Sequence, residues 1–109
     1  MLTDEQTDRE LLELAAKAAG YSLSEVNDMI WSDAEAEYAH WNPLTDDGDA
    51  FRLMVKLEID VFHSDILVRA MHRAREGSSV AVRVNDDRLA AARRAIVRAA
   101  VESRKEQPK

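Results

Sequence analysis

The stretch 41-WNPLTDDGDAFRLMVKL-57 decides how the rest of the chain is read. Three aspartates surround Gly48, so the segment is either an ion-binding loop or the beginning of a helix. An EF-hand loop needs oxygen ligands at positions 1, 3, 5 and 12 with glycine at 6. Placing Gly48 at position 6 puts Pro43 at 1, Thr45 at 3, Asp47 at 5 and Met54 at 12, which leaves two essential ligands missing. A helix start fits better. Pro43 stops the preceding segment, Thr45 or Asp46 caps, and Asp46, Asp47 and Asp49 gather where the helix dipole presents about half a positive charge. Downstream, Ala50, Leu53, Met54 and Leu57 form one apolar face, Phe51 and Val55 widen it, and Asp49, Arg52 and Lys56 make the polar strip. So wide an arc predicts contact on two sides and makes this the most buried helix of the protein. The aspartates are read as structural, with no metal ion and no cofactor.

Upstream, Thr7-Asp8-Arg9-Glu10 matches a capping box, so a helix starts there or one turn earlier. Leu11, Leu14, Ala15 and Ala18 share one face with Leu12 and Ala19 at its edge, and Glu13 and Lys17 have the spacing of a favourable ion pair. Gly20 stands where a left-handed cap is wanted, followed by Tyr21 as its apolar partner. Between residues 21 and 42 the signals compete. Met29-Ile30-Trp31 reads as a strand, while Trp31, Ala34, Tyr38 and Trp41 also recur at helical spacing. A strand pair is the reading adopted. Asp33, Glu35 and Glu37 would then share one side of a strand, as a solvated edge rather than a cation site or an acid–base pair.

On the C-terminal side, residues 59–63, 66–71 and 80–84 are rich in β-branched residues and are separated by Ser64-Asp65 and Glu76-Gly77-Ser78-Ser79, which predicts three antiparallel strands. Asn85, Asp86 or Asp87 then caps a last helix with Leu89, Ala92, Ile96 and Ala100 inward and Arg94 and Arg98 outward. Residues 102–109 are expected to fray. Apolar strands need helices to cover them. The prediction is an α+β fold, about three helices packed around a small antiparallel sheet of three to four strands in an α-β-α sandwich-like arrangement. One domain covers residues 1–103 and a tail covers 104–109.

The 109 residues suffice for one core. Without cysteine there is no disulfide, no thiolate nucleophile and no sulfur-bound zinc. No stretch approaches the roughly 18 apolar residues of a membrane span and the first ten residues lack an apolar signal, so a cytoplasmic location, without membrane contact, is expected. Charge is uneven. Residues 1–49 carry thirteen acidic and two basic side chains, net −11, and residues 50–109 carry eight acidic and thirteen basic, net +5. Arginine outnumbers lysine eleven to four. The simplest reading is that the two halves neutralise each other within one fold.

The segment WNPLTDDGDA with its following helix, and AARRAIVRAA at residues 91–100, resemble the motifs of the phage ABA sandwich domain family, and LLELAAKAAG at residues 11–20 extends the likeness. Residues 21–40 match nothing in the family. The resemblance implies helices packed about a small sheet and a phage or prophage origin in a bacterial host. It implies no activity and no functional residues.

Chemistry is sparsely signalled. His40, His63 and His72 are the candidates for proton transfer near neutral pH, but no pair has the spacing of a helical zinc site and none adjoins a nucleophile motif. His63 shares a strand face with Ile59 and Val61, which predicts a core-edge histidine. Trp31, Trp41, Tyr21 and Tyr38 are read as core rather than as a stacking platform. No residue supports an enzyme, and no catalytic group is assigned. Two partner classes stand. The first is a phage or host protein, contacted by a non-enzymatic interaction module through its acidic half. The second is nucleic acid, contacted through Arg69, Arg73, Arg83, Arg94 and Arg98, with Arg75 alongside; Asp86 and Asp87 and a pI near 5.0 oppose it.

Overall fold

The computed structural model describes residues 7–23, 29–32, 37–73 and 79–105. Helix α1 runs from Asp8 to Ala19. Its start is the capping box: the Thr7 hydroxyl accepts from the Glu10 amide at 3.0 Å and Glu10 Oε1 accepts from the Thr7 amide at 3.0 Å. Its end is Gly20 at φ 83°, a conformation only glycine takes without strain, from which the Tyr21 amide reaches back to the Ala16 carbonyl at 2.8 Å. Leu11, Leu12, Ala15, Ala16 and Ala19 are buried, so the inner face lies slightly round from the expected one and Leu14 sits at its margin. Glu13 takes Arg9 as its partner at 3.2 Å instead of Lys17.

Three short strands follow: β1 (Ser22–Leu23), β2 (Met29–Ser32) and β3 (Glu37–His40), antiparallel in the order β1-β2-β3. The expected strand pair is thus a three-stranded sheet. Trp31 and Tyr38 stand opposite each other in its register, and Ile30 is buried. Glu37 lies in β3, whereas Asp33 and Glu35 lie outside the described residues.

Helix α2 (Asp47–Leu57) turns into strand β4 (Ile59–His63) through Glu58 at φ 57°, and β5 (Leu67–His72) and β6 (Ser79–Arg83) complete a second antiparallel sheet in the order β4-β5-β6. Pairing of Val61 with Ala70 and of Ala70 with Val80 puts Ile59, Val68, Ala70 and Val80 on the buried face. Helix α3 (Arg88–Lys105) lies on that face and also packs against α1 and α2.

The α+β class with three helices and antiparallel strands is as read from the sequence, and its middle layer is α3. Ala95, Val97 and Ala100 are fully buried, with Ala99 and Val101 close to it, because one helix is covered by a sheet on one side and by helices on the other. Alanines at buried positions of both α1 and α3 let the two helices approach closely. This corrects the expectation that α2 is the most buried helix. Only Asp49, Ala50 and Leu53 are buried in α2, and Phe51 and Val55, which widened its apolar arc, are 60% and 58% exposed. Leu89, expected inward, is exposed, since the inner face of α3 begins at Ala91. Fraying does not begin at Glu102: the helix continues to Lys105 and Ser103 is buried, its hydroxyl donating to the Ala100 carbonyl at 2.8 Å. Residues 106–109 lie outside the described residues. No described helix is long and apolar enough to cross a membrane.

Candidate functional site

The segment before α2 forms a hydrogen-bonded corner. Trp41 is buried with its ring edge-on to Tyr21, centroids 5.7 Å apart. The Asn42 side chain accepts from the Leu44 amide at 3.0 Å, and its carbonyl accepts from the amides of Thr45 and Asp46 at 3.1 and 2.9 Å. Pro43 is fully buried. Asp46 is the cap, its Oδ2 accepting from the Asp49 amide at 2.8 Å. The half-turn below, Asp49 accepts from the Asn42 amide at 2.9 Å and from Arg52 Nη2 at 2.8 Å. That bond raises the Arg52 pKa above its usual value. Asp47 points the other way and accepts from Arg93 Nη1 at 2.6 Å.

The three carboxylates are therefore engaged with three different sets of donors rather than converging on a common centre. Among the described residues no group of three or more acidic or histidine side chains is placed to hold a metal ion. Replacing Asp46 with alanine should cost about 1 kcal/mol through the lost cap. Millimolar calcium should leave the melting temperature of the wild type where it is; a rise of several degrees would show that the aspartates rearrange round an ion.

Arg93 was not singled out by sequence reasoning. Besides Asp47, its Nε donates to the Leu44 carbonyl at 2.8 Å, so a residue of α3 clamps both the turn and the first turn of α2. A signal existed. Ile96 and Val97, three and four residues on, are both buried, so Arg93 begins on a covered face where a cation needs partners. Arg88 plays a similar part at the start of α3, donating to the carbonyls of Ser64 at 2.6 Å and Asp65 at 3.1 Å and lying 3.0 Å from His63 Nδ1. A guanidinium only donates, so that ring nitrogen accepts. His63, the last residue of β4, is exposed rather than at the edge of the core. The α3 cap is Asp87, accepting from the Ala90 amide at 3.1 Å.

The candidate nucleic-acid arginines do not all share one surface. Alternation and register put Arg69 and Arg83 on the face of the β4-β5-β6 sheet away from α3, whereas Arg94 and Arg98 belong to α3 itself, on the other side of that sheet. Arg94 pairs with Asp8 at 2.6 Å, Arg73 pairs with Asp60 at 2.8 Å, and Arg98 is exposed. Arg75 lies outside the described residues. The Arg73 hydrogen bond holds the Asp60 carboxyl below its usual 3.8. A lowered folded-state value means the pair favours the fold above the unfolded value and that the contribution is lost as pH falls through the depressed one. Asp60→Asn should accordingly narrow the gap in melting temperature between about pH 7 and about pH 3, by a small amount because both side chains are exposed to solvent.

Shallow depressions flank these elements. One of about 480 Å³ between α2 and β4 is lined by Met54, Val55, Glu58, Ile59, Val61 and the Asp60–Arg73 pair. Another of about 360 Å³ is lined by Glu13, Lys17, Tyr21, Ser22 and Leu23.

Comparison with solved structures places this arrangement. The chain superposes over 100% of its length on 97% of a phage protein from Bacillus cereus ATCC 14579, with a TM-score of 0.64 and 18% sequence identity. The fold resembles that of a phage protein. At that identity the likeness speaks for the fold alone. No family model matches the chain, so membership of the phage ABA sandwich family does not follow from it. No curated protein matches it either.

Proposed function

We propose that the protein is a non-enzymatic accessory module of phage or prophage origin that works inside the bacterial host by contacting another protein. The observation that carries this reading is the exposure of large apolar side chains: Phe51, Val55, Phe62, Ile66 and Leu89 are each more than half exposed while the core is filled by others. Phe51 and Val55, four residues apart on α2, share one face of that helix, and adjoining apolar side chains at a surface mark contact sites more often than they serve the isolated fold. The sequence feature that looks most like a site, the aspartate cluster, is engaged together with Arg93 in holding the corner together. Motif resemblance to the phage ABA sandwich family and the fold likeness to a phage protein support the origin.

The test is quantitative capture from phage-infected bacterial lysate with the wild type and with surface variants Phe51→Ser, Val55→Ser and Phe62→Ser. These changes should leave the melting temperature within a few degrees, since surface substitutions usually stay within about 0.5 kcal/mol. A specific protein retained by the wild type and lost by at least one variant supports the reading. Turnover of a small molecule by the purified chain would overturn it.

A further inference from the structure

We infer that the solvent-facing side of the β4-β5-β6 sheet is a docking surface for an acidic, apolar-containing segment of a partner protein, an inference that rests on the interaction-module reading. Strand alternation puts Asp60 and Phe62 of β4, Leu67, Arg69 and Met71 of β5, and Ala81 and Arg83 of β6 on this side. Phe62, Arg69, Ala81 and Arg83 are exposed. Asp60 is neutralised by Arg73. Neither Arg69 nor Arg83 has a side-chain partner among the described residues, so the face carries two uncompensated positive charges in a chain of net −6.

The geometry selects the occupant. Arg69 stands opposite Ala81 in the register and Arg83 lies two residues further along β6, which makes the two arginines diagonal neighbours about 7–8 Å apart. An extended segment carries alternate side chains on one side about 6.6 Å apart. Two carboxylates separated by one residue therefore meet the two guanidinium groups, each able to take a carboxylate with two parallel hydrogen bonds. Phe62, opposite Arg69 in the same row, offers an aromatic face to an apolar neighbour of those acids. A second copy docking through this same face fits poorly, because the only carboxylate its strand register presents among the described residues, that of Asp60, is already paired with Arg73 and leaves none for Arg69 and Arg83. A nucleic-acid strand also fits poorly. Arg94 and Arg98 are on the far side of the sheet, which leaves this face two free cations among the described residues, enough for a pair of carboxylates but not for a run of phosphates.

The experiment is selection from a random twelve-residue peptide library on the wild type and on the Arg69→Glu, Arg83→Glu variant, with the best peptide then measured by fluorescence anisotropy. Peptides selected on the wild type should be enriched in acid–x–acid sequences next to aromatic or aliphatic residues. Affinity should fall at least tenfold in the double variant and in a peptide with its acids replaced by amides, and Phe62→Ser should weaken it as well. Arg98→Glu, on α3, should leave it unchanged, and the melting temperature of each variant shows that the fold persists. Selected peptides without acidic enrichment, or binding indifferent to Arg69 and Arg83, overturn the docking surface while leaving an interaction module standing. No peptide selected, with tight binding of a twelve-nucleotide oligothymidylate instead, overturns both. A concentration-dependent dimer abolished by the double variant overturns the partner segment in favour of self-association.

Discussion

Replacing Trp41 with alanine should lower stability by roughly 3–5 kcal/mol, the range for deleting a buried aromatic side chain. For a chain of about this size that corresponds to a fall in melting temperature of more than about 10 °C. The expectation comes from position as much as volume. Trp41 is 5% exposed, its ring meets Tyr21 edge-on, and the next residue, Asn42, is where the hydrogen bonds of the corner begin. Loss of the indole removes apolar contacts from the core and loosens the anchor of a turn whose backbone amides are satisfied internally. Trp41→Phe should recover part of the loss, since a phenyl ring keeps the edge contact with Tyr21 but leaves a void beside it. Urea unfolding of the three proteins at one temperature measures both. A loss under about 1 kcal/mol for the alanine variant would mean that the corner stands without its aromatic anchor.

How much of this was legible in the sequence depends on the range of the interaction. The ends of α1 were legible because the capping box and Gly20 act within four residues of the chain they cap. The three strands of the second sheet were legible because β-branched runs and turn residues are local signals as well, and Asp46 acts on an amide three residues ahead. What could not be read was which neighbour each apolar face would find. Phe51 and Val55 have the spacing of an inner face, yet α2 is covered on one side only and they are left in solvent. Conversely α3 reads as a mildly apolar, arginine-bearing helix, and its alanines gave no hint that it would be the middle layer. Small side chains contribute little to a hydrophobic pattern, but they let a helix be approached from two sides at once. The arginines follow the same rule: their types suggested a common surface, while the layer order places some on the sheet face and others on α3.

The partners of Arg93 in the corner were not legible either, although its place on the covered side of α3 left a signal, and they make the second large prediction. Arg93→Ala should cost roughly 2–3 kcal/mol, well above the value for Arg98→Ala, which should stay within about 0.5 kcal/mol. Arg93 is 17% exposed at its side chain, against 67% for Asp47, so the ion pair itself is largely open to water and contributes little by screening. The larger part belongs to the Leu44 carbonyl, part-buried and dependent on Arg93 Nε, and to the arginine stem packed on α3. A double-mutant cycle separates the two. Coupling between Arg93→Ala and Asp47→Ala should be no more than about 1 kcal/mol, leaving most of the loss in the single arginine variant. Arg93→Lys should not restore stability, because one ammonium cannot occupy the positions of Nε and Nη1 together. If Arg93→Ala proves as mild as Arg98→Ala, the turn holds by its own hydrogen bonds and α3 merely rests against it. If the cycle instead assigns the whole loss to the Asp47 pair, the corner is fastened by charge and should weaken steeply with salt, which a carbonyl hydrogen bond would not.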